Sequence, residues 1–439
     1  MNWTQLLNSD RFGAERNKQA SMDSTRTDFQ RDYDRIIFSS PFRRLQNKTQ
    51  VFPLPGGIFV HNRLTHSLEV SSVGRSLGNN ILTLIDKHLT AEEKQVANHI
   101  PTVVSAACLA HDMGNPPFGH SGEEAIRKYF IDNENTYRHL MDEWEWNDLT
   151  RYEGNANALR LLTHQFNGRR EGGYRLSNAV LASILKYPYP SKSGKKKYGF
   201  FKTETHVFES ITASTNLKRN SNGEFCRHPL VYLVEAADDI CYQIMDIEDA
   251  HKLGILTTPK TIELYSAFFD DSSNEKKSSI DKTLSEVTDP NEQVAYLRAI
   301  AISELVEKCS AIFAEKYSQI MSGENIRPLV DSLSGSSLQA MENIKQLAIN
   351  KVYNHRKVVE IEIAGFQILS SLMDIFCQAV LNPQSGHSRK VSQLIPDQFK
   401  TDGSEYKKIL SVLDFVSGMT DVYALETYRL IKGINLPTL

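Results

Sequence analysis

Residues 101–113 read PTVVSAACLAHDM, and the fold follows from this stretch. Almost every position up to Ala110 is apolar. Pro101 suits the first turn of a helix, where its missing N–H is not needed, and Gly114 followed by Pro116 and Pro117 stops that helix firmly. A helix that is apolar all round is buried all round. The stretch therefore predicts a central helix enclosed by others, with His111 and Asp112 at its end. A charged carboxylate in such surroundings costs on the order of several kcal/mol unless it is paired or bound to a cation.

Two further helices carry groups of the same kind inward. From Arg63 to about Leu89 the apolar positions Val70, Val73, Leu77, Ile81 and Leu84 follow the three-and-four spacing of a buried stripe, and His66 falls on that stripe. In LVYLVEAADDICYQIMDIEDA, residues 230–250, Asp238 shares a face with Val231, Val234, Cys241 and Met245. A single buried His or Asp is most often satisfied by hydrogen bonds. Two imidazoles and two carboxylates brought together by three apolar helices instead form a ligand set suited to Mn²⁺, Fe²⁺, Co²⁺ or Zn²⁺, whereas Mg²⁺ held by protein alone calls for oxygen ligands. Asp238 and Asp239 point about 100° apart on a helix, and spacing by itself does not choose between them.

Directly after the dipeptide, MGNPPFGHSGEE places His120 and Glu123 three residues apart around a helix start, where Glu123 can orient the imidazole and terminal N–H groups favour an anion. The spacing of Ser121 to Glu124 predicts a capping box with the helix beginning near Ser121. A rigid capped turn with no further role is the plainer reading of the same residues.

Elsewhere, helical periodicity is expected at about 153–166, 176–186, 229–252, 292–320, 338–355, 358–381, 405–416 and 419–432, with polar loops at 188–203, 215–228, 270–289 and 384–395. The stretch SSPFRRLQNKTQVFPLPGGIFVHNR, residues 39–63, is rich in Pro and Gly and allows at most a short β-hairpin near 48–62. Strict alternation is nearly absent, so the fold class is all-α. Residues 1–34 read as an N-terminal arm and 35–439 as a single helical domain, with 270–289 the only plausible internal boundary.

Composition narrows the function. Lys and Arg number 50 against 53 Asp and Glu, a net charge of −3, which argues against a protein that coats nucleic acid through bulk charge. A local contact through Lys195–Lys197 remains open. The five cysteines show no CxxC pair, so neither a disulfide framework nor a thiolate zinc site is signalled, and a reducing cytoplasm is expected. The N-terminus lacks the pattern of a signal peptide, and no long uninterrupted apolar run suggests a membrane span.

The order RLTHS (63–67), AHDMGNPPFGHSGE (110–123) and EAADDI (235–240) resembles the His-Asp (HD) superfamily of metal-dependent phosphohydrolases. With RRLQNKTQVFPL (43–54), YEGNA (152–156), LKY (185–187) and SGMTDVYA (417–424), the chain resembles the dGTP triphosphohydrolase family in particular, from about residue 35 to about residue 430. The resemblance implies an HD-type helical core with additional packed helices. It implies hydrolysis of a deoxynucleoside triphosphate to deoxynucleoside and triphosphate, a divalent metal cofactor (Mn²⁺ or Mg²⁺ first, other first-row metals next), and a homo-oligomer such as a hexamer; single-stranded DNA as a further partner is left open by the sequence. By motif position it implies His66, His111, Asp112 and Asp238 as metal ligands, the motif selecting Asp238 over Asp239. Gln50 and Asp246 correspond to 3′-hydroxyl contacts, Tyr242 to the ring beneath the sugar, and Arg63, Asn115, Lys186 and Tyr187 to phosphate contacts. His120 is the candidate for proton transfer, with Glu123 as its orienting partner. The competing readings are an HD-type nucleotide phosphodiesterase or 5′-nucleotidase, and a non-catalytic nucleotide- or nucleic-acid-binding regulator.

Overall fold

Pro101 stands in the first turn of a helix that runs Ile100–Ala110, and all of its residues except Thr102 are buried. The computed structural model describes residues 1–14, 25–52 and 60–434. These residues are overwhelmingly helical, and their only extended pairings are four isolated β-bridges. Helices Asp28–Ile37, Arg63–Ile85, Asn178–Ile184 and Val231–Lys252 all pack on the central Ile100–Ala110 helix.

The tightest of these contacts is with Arg63–Ile85, and Gly74 explains it. A Cβ built there would stand 2.5 Å from Cys108 Sγ, so only glycine lets the two helices approach this closely. Asn62 caps the helix reciprocally with Thr65. His66, Val70, Val73, Leu77 and Ile81 form the buried stripe as expected, but Leu84 is 40 % exposed and Ile85 takes its place in the core.

A first apolar cluster gathers residues of the helices just named together with those of Pro290–Glu315. A second is built on Gly119–Asp132, Arg356–Leu381 and Glu405–Ser417. Arg356–Leu381 has an 18-residue window of mean hydropathy 1.5, enough by length and composition alone to cross a membrane, which corrects the expectation that no segment is. Its Ile368, Leu369, Leu372, Met373 and Phe376 are buried in the second cluster, which makes it a core helix.

Several local expectations need correction. Residues 270–289 are not a loop: Ser273 caps a helix Asn274–Glu286 that buries only Ile280, so the sequence lacks the apolar stripe that announces a helix. Gly386–Ser392, within the expected loop 384–395, is a short helix of the same kind. Ser121 is not a cap. The helix begins two residues earlier, after Phe118 in the left-handed conformation (φ 61°), and the Ser121 hydroxyl donates to the Glu362 carbonyl at 2.6 Å. Of the hairpin expected near 48–62, residues 53–59 lie outside those described, and the flanks meet in one antiparallel bridge, Thr49 to Asn62. At the N-terminus, Trp3 and Leu6 are fully buried, and Trp3 Nε1 donates to the Tyr317 hydroxyl at 2.9 Å.

Candidate active site

Three helices deliver the His and Asp side chains to one point. His66 comes from the second turn of Arg63–Ile85, His111 and Asp112 follow the last residue of Ile100–Ala110, and Asp238 lies in the middle of Val231–Lys252. Asp238 Oδ1 stands 3.0 Å from His66 Nε2 and 3.3 Å from His111 Nε2. One Asp112 oxygen is 3.6 Å from His111 Nε2, and ligand atoms of His66, His111 and Asp112 all fall within 4.8 Å of one another.

The His111 ring is oriented for ligation. Its Nδ1 lies 2.6 Å from the Cys108 carbonyl oxygen, to which it donates, so Nε2 faces the two carboxylates, and this buried Nε2 has no hydrogen-bond partner among the described residues. Burial disfavours a charge on this ring, but Asp112 and Asp238 outweigh it and raise its pKa to about 9. The same field favours any positive charge at this point, a metal ion as well as a proton. Burial pushes the Asp238 carboxyl up, but His111 and His66 hold it well below the usual carboxylate range. Asp112 is likewise lowered, its burial outweighed first by Arg63, whose Nη1 donates to Asp112 Oδ2 at 2.6 Å, and then by His111. The Asn115 amide donates to the other Asp112 oxygen at 2.6 Å. This donor set fits a divalent cation.

Above the cluster opens a cleft of about 300 Å³. It is lined by His111, Asp112, Asp238, His120 and Glu123, and by Gln50, Arg63, Asn115, Lys186, Tyr187 and Tyr242, which is most of the site named from sequence. His66 lies behind its wall. Asp246 does not reach the cleft surface either: it is buried and accepts a hydrogen bond at 2.8 Å from the Tyr353 hydroxyl. Burial raises the Asp246 pKa to about 8. The Tyr353 ring stacks on Tyr242, with centroids 6.0 Å apart and an interplanar angle of 26°.

On the facing wall the His120 side chain is 84 % exposed, with Nδ1 at 3.6 Å from Glu123 Oε2, an ion-pair distance and longer than a hydrogen bond. Glu123 is buried and has two firmer partners, Gly154 N at 2.8 Å and Arg127 Nη2 at 3.1 Å. It thus fixes the start of the Gly154–Thr163 helix as well as facing His120. Lys186 pairs with Glu235 at 3.1 Å; burial opposes its charge, and Glu235 more than restores it, raising the pKa.

Sequence reasoning missed several residues here. Glu153, Glu235 and Asp239 line the cleft, and Lys197 pairs with Glu153 at 3.4 Å. Glu153, Glu235 and Asp239 stand inside the motifs YEGNA and EAADDI, where a count of acidic groups was available. Tyr353 carried no such signal. With six carboxylates against Arg63, Lys186 and Lys197, the cleft repels a bare polyphosphate and accepts one accompanied by divalent cations.

Residues 63–178 match the HD domain family, and residues 332–430 match the phosphohydrolase-associated domain. The chain is 39 % identical over 456 residues to a deoxyguanosinetriphosphate triphosphohydrolase-like protein of Synechocystis, covering 99 % of this chain and all of the relative. A protein of the same description from Listeria innocua is 33 % identical over 477 residues, covering 99 % of this chain and all of the relative. A deoxyguanosinetriphosphate triphosphohydrolase of Yersinia enterocolitica is 29 % identical over 498 residues, 95 % of this chain and 96 % of the relative.

Proposed function

The chain belongs to the deoxyguanosinetriphosphate triphosphohydrolase-like family of HD-domain phosphohydrolases, and from that premise we propose that it hydrolyses deoxynucleoside triphosphates, dGTP foremost, to deoxynucleoside and triphosphate. The observation that carries this reading is the clustering of His66, His111, Asp112 and Asp238 against a cleft whose other walls bear Arg63, Lys186 and Lys197. A cation-binding set beside these three cationic side chains suits a phosphate ester that arrives with divalent cations.

His66, His111, Asp112 and Asp238 would hold a divalent cation, Mn²⁺ or Mg²⁺, which supplies Lewis-acid stabilisation of the phosphoryl oxygens. Arg63, Asn115, Lys186 and Tyr187 hold the triphosphate, and because Arg63 and Asn115 also bond Asp112, phosphate binding and the cation site share their partners. Tyr242 lies under the sugar and excludes a 2′-hydroxyl, while Gln50 accepts the 3′-hydroxyl and Asp246, buried behind the ring, orients Tyr353 against Tyr242. The buried Gln50 Oε1 has no partner among the described residues, which suits that role.

Water attacks the α-phosphorus, the bond from phosphorus to the 5′-oxygen breaks, and the leaving 5′-oxygen takes a proton from His120. An alkoxide leaves poorly without such a proton, and imidazole is the side chain that exchanges protons near neutral pH. The hydroxyl of the attacking water stays on the triphosphate, and its remaining proton restores His120. Glu123, fixed by Gly154 and Arg127, holds the imidazole on the correct side of the cleft.

Incubating the purified protein with each of the four dNTPs and Mn²⁺ or Mg²⁺, and resolving nucleoside, monophosphate and triphosphate, tests the reading. Nucleoside with intact triphosphate supports it. Release of phosphate or of a monophosphate instead would identify a nucleotidase or phosphodiesterase. The proposal includes a homo-oligomer, checked by analytical ultracentrifugation.

A further inference from the structure

Away from the cleft, the segment NGRREGGYR, residues 167–175, folds into a tight loop in which Gly168, Gly172, Gly173 and Arg175 all have positive φ. The loop is clamped. A Cβ on Gly172 would stand 2.1 Å from the Phe12 carbonyl oxygen, so the backbone there touches the N-terminal segment directly. Arg175 holds a left-handed conformation (φ 51°) that non-glycine residues seldom adopt, and two guanidinium groups, from Arg11 and Arg35, donate to its carbonyl. The loop is therefore held by specific bonds, and what it presents is arginine.

Arg35, Arg169, Arg170 and Arg175 line an open pocket of about 370 Å³ with Tyr174, and no acidic side chain lines it among the described residues. Arg169, Arg170 and Arg175 form no ion pair among those residues. Arg35 stands 3.6 Å from Asp32, which is already engaged by Arg11 and the Ser177 N–H, and Asp28 also supports its charge. Arg169 instead lies over the faces of Phe166 and Tyr174, at 5.6 and 5.1 Å from their centroids, which fixes its guanidinium plane. Arg44 is half-buried with no carboxylate partner among the described residues; burial lowers its basicity, Tyr174 acts against that, and the charge of Arg169 lowers it further. Like charges gathered this way repel, and a compact anion between them removes the cost.

We propose that Arg35, Arg169, Arg170 and Arg175 form a second, non-catalytic binding site that takes a short chain of linked phosphates. Guanidinium forks match phosphate oxygens two at a time, and four of them around a pocket this small demand a ligand of several closely spaced negative charges. A single carboxylate or monophosphate leaves most of the donors unmet. The inference stands apart from the reaction proposed above, since it needs binding only.

Calorimetric titration of the full-length protein with inorganic triphosphate, in the presence of a chelator and in the Lys186→Ala background that weakens the cleft, tests it. Binding is expected to persist in that background, to weaken steeply with added salt, and to fall at least about tenfold when Arg169→Ala and Arg170→Ala are added. Arg170→Glu alone, at an exposed position, is expected to weaken it as well, and circular dichroism checks that each variant folds. Equal triphosphate affinity with and without the arginines overturns the site. Arginine-dependent binding of a single-stranded oligodeoxynucleotide with none of triphosphate overturns the assignment of its ligand. Because no turnover is measured, failure here leaves the hydrolase reading untouched, and absence of turnover leaves this site untouched.

Discussion

The ammonium nitrogen of Lys48 lies 2.6 Å from the main-chain carbonyl oxygen of Asn115 and donates to it from within the protein interior, and the same nitrogen reaches the Ser417 carbonyl oxygen at 2.8 Å. Next to it, the Thr49 N–H donates to one oxygen of Asp421 and the Phe118 N–H to the other. The turn that carries Asp112, Asn115 and Phe118 is thus tied both to the segment bearing Gln50 and to the C-terminal helices.

Lys48→Met is expected to destabilise the protein by roughly 1–3 kcal/mol through the unpaired carbonyls and to lower kcat/KM. Burial, with Arg44 and Arg63 adding to it, brings the Lys48 pKa down to about 7. The unfolded chain therefore binds the extra proton between about pH 7 and the ordinary lysine value of about 10.4, so this group's contribution to stability rises with pH across that window and its cost is complete below it. Urea unfolding of both proteins at a series of pH values should show wild type gaining on the variant as pH rises. A gain in the opposite direction would refute the assignment.

Asp238→Ala is expected to lose bound metal and turnover together, because Asp238 Oδ1 faces both imidazoles. Asp239→Ala is expected to keep its metal. Metal content by mass spectrometry after dialysis, alongside turnover, separates the two neighbours, and the reverse pattern would transfer the ligand role to Asp239.

His120→Ala should lower kcat by roughly 10²–10⁴-fold with metal content intact. Glu123→Ala is expected to do less damage to proton transfer and to shift the pH–rate profile. It also removes the acceptor for Gly154 N, so its melting temperature should fall while that of His120→Ala should not. Near-normal kcat in His120→Ala would return that residue to a purely structural turn.

Dideoxynucleotides should be poor substrates, since a site built around one hydroxyl rejects an analogue lacking it, and ribonucleotides should be poor because Tyr242 leaves no room for a 2′-hydroxyl. Tyr353→Phe removes the hydroxyl that bonds Asp246 at 2.8 Å but keeps the ring against Tyr242. It should raise KM for dGTP and narrow the preference for dGTP over dideoxy-GTP while leaving metal content unchanged. Equal turnover of GTP and dGTP by the wild-type protein would contradict the sugar pocket.

Gly74→Val tests the packing of the central helix. Its side chain would meet Cys108 Sγ and Val104, and a loss of about 1–3 kcal/mol in stability, read by urea unfolding, is expected for overpacking of this kind.

Much of this molecule is legible in its amino-acid sequence. The apolar run ending at Ala110, the stripe of Val70, Val73, Leu77 and Ile81, and the face carrying Asp238 are periodic patterns, and such patterns announce buried helices because burial follows hydrophobic spacing. The helices Asn274–Glu286 and Gly386–Ser392 were not legible, since they bury one residue each and leave no stripe. Ser121 misled for a related reason: a cap depends on backbone conformation, and the left-handed Phe118 starts the helix ahead of it.

By itself, the sequence determined that the chain is helical, that three apolar helices each carry an inward His or Asp, and that the motifs are those of an HD phosphohydrolase. These properties are local, set by residue type and spacing along the chain. Only the tertiary structure decided that Asp238 Oδ1 stands against both imidazoles, that His111 Nε2 is left without a hydrogen bond among the described residues, and that Asp246 is buried and bonded to Tyr353. It also decided that Arg35 from one helix meets the arginines of a loop more than a hundred residues further on. Contacts of that range depend on how helices cross and which side chains then share a volume, and spacing along the chain does not encode this.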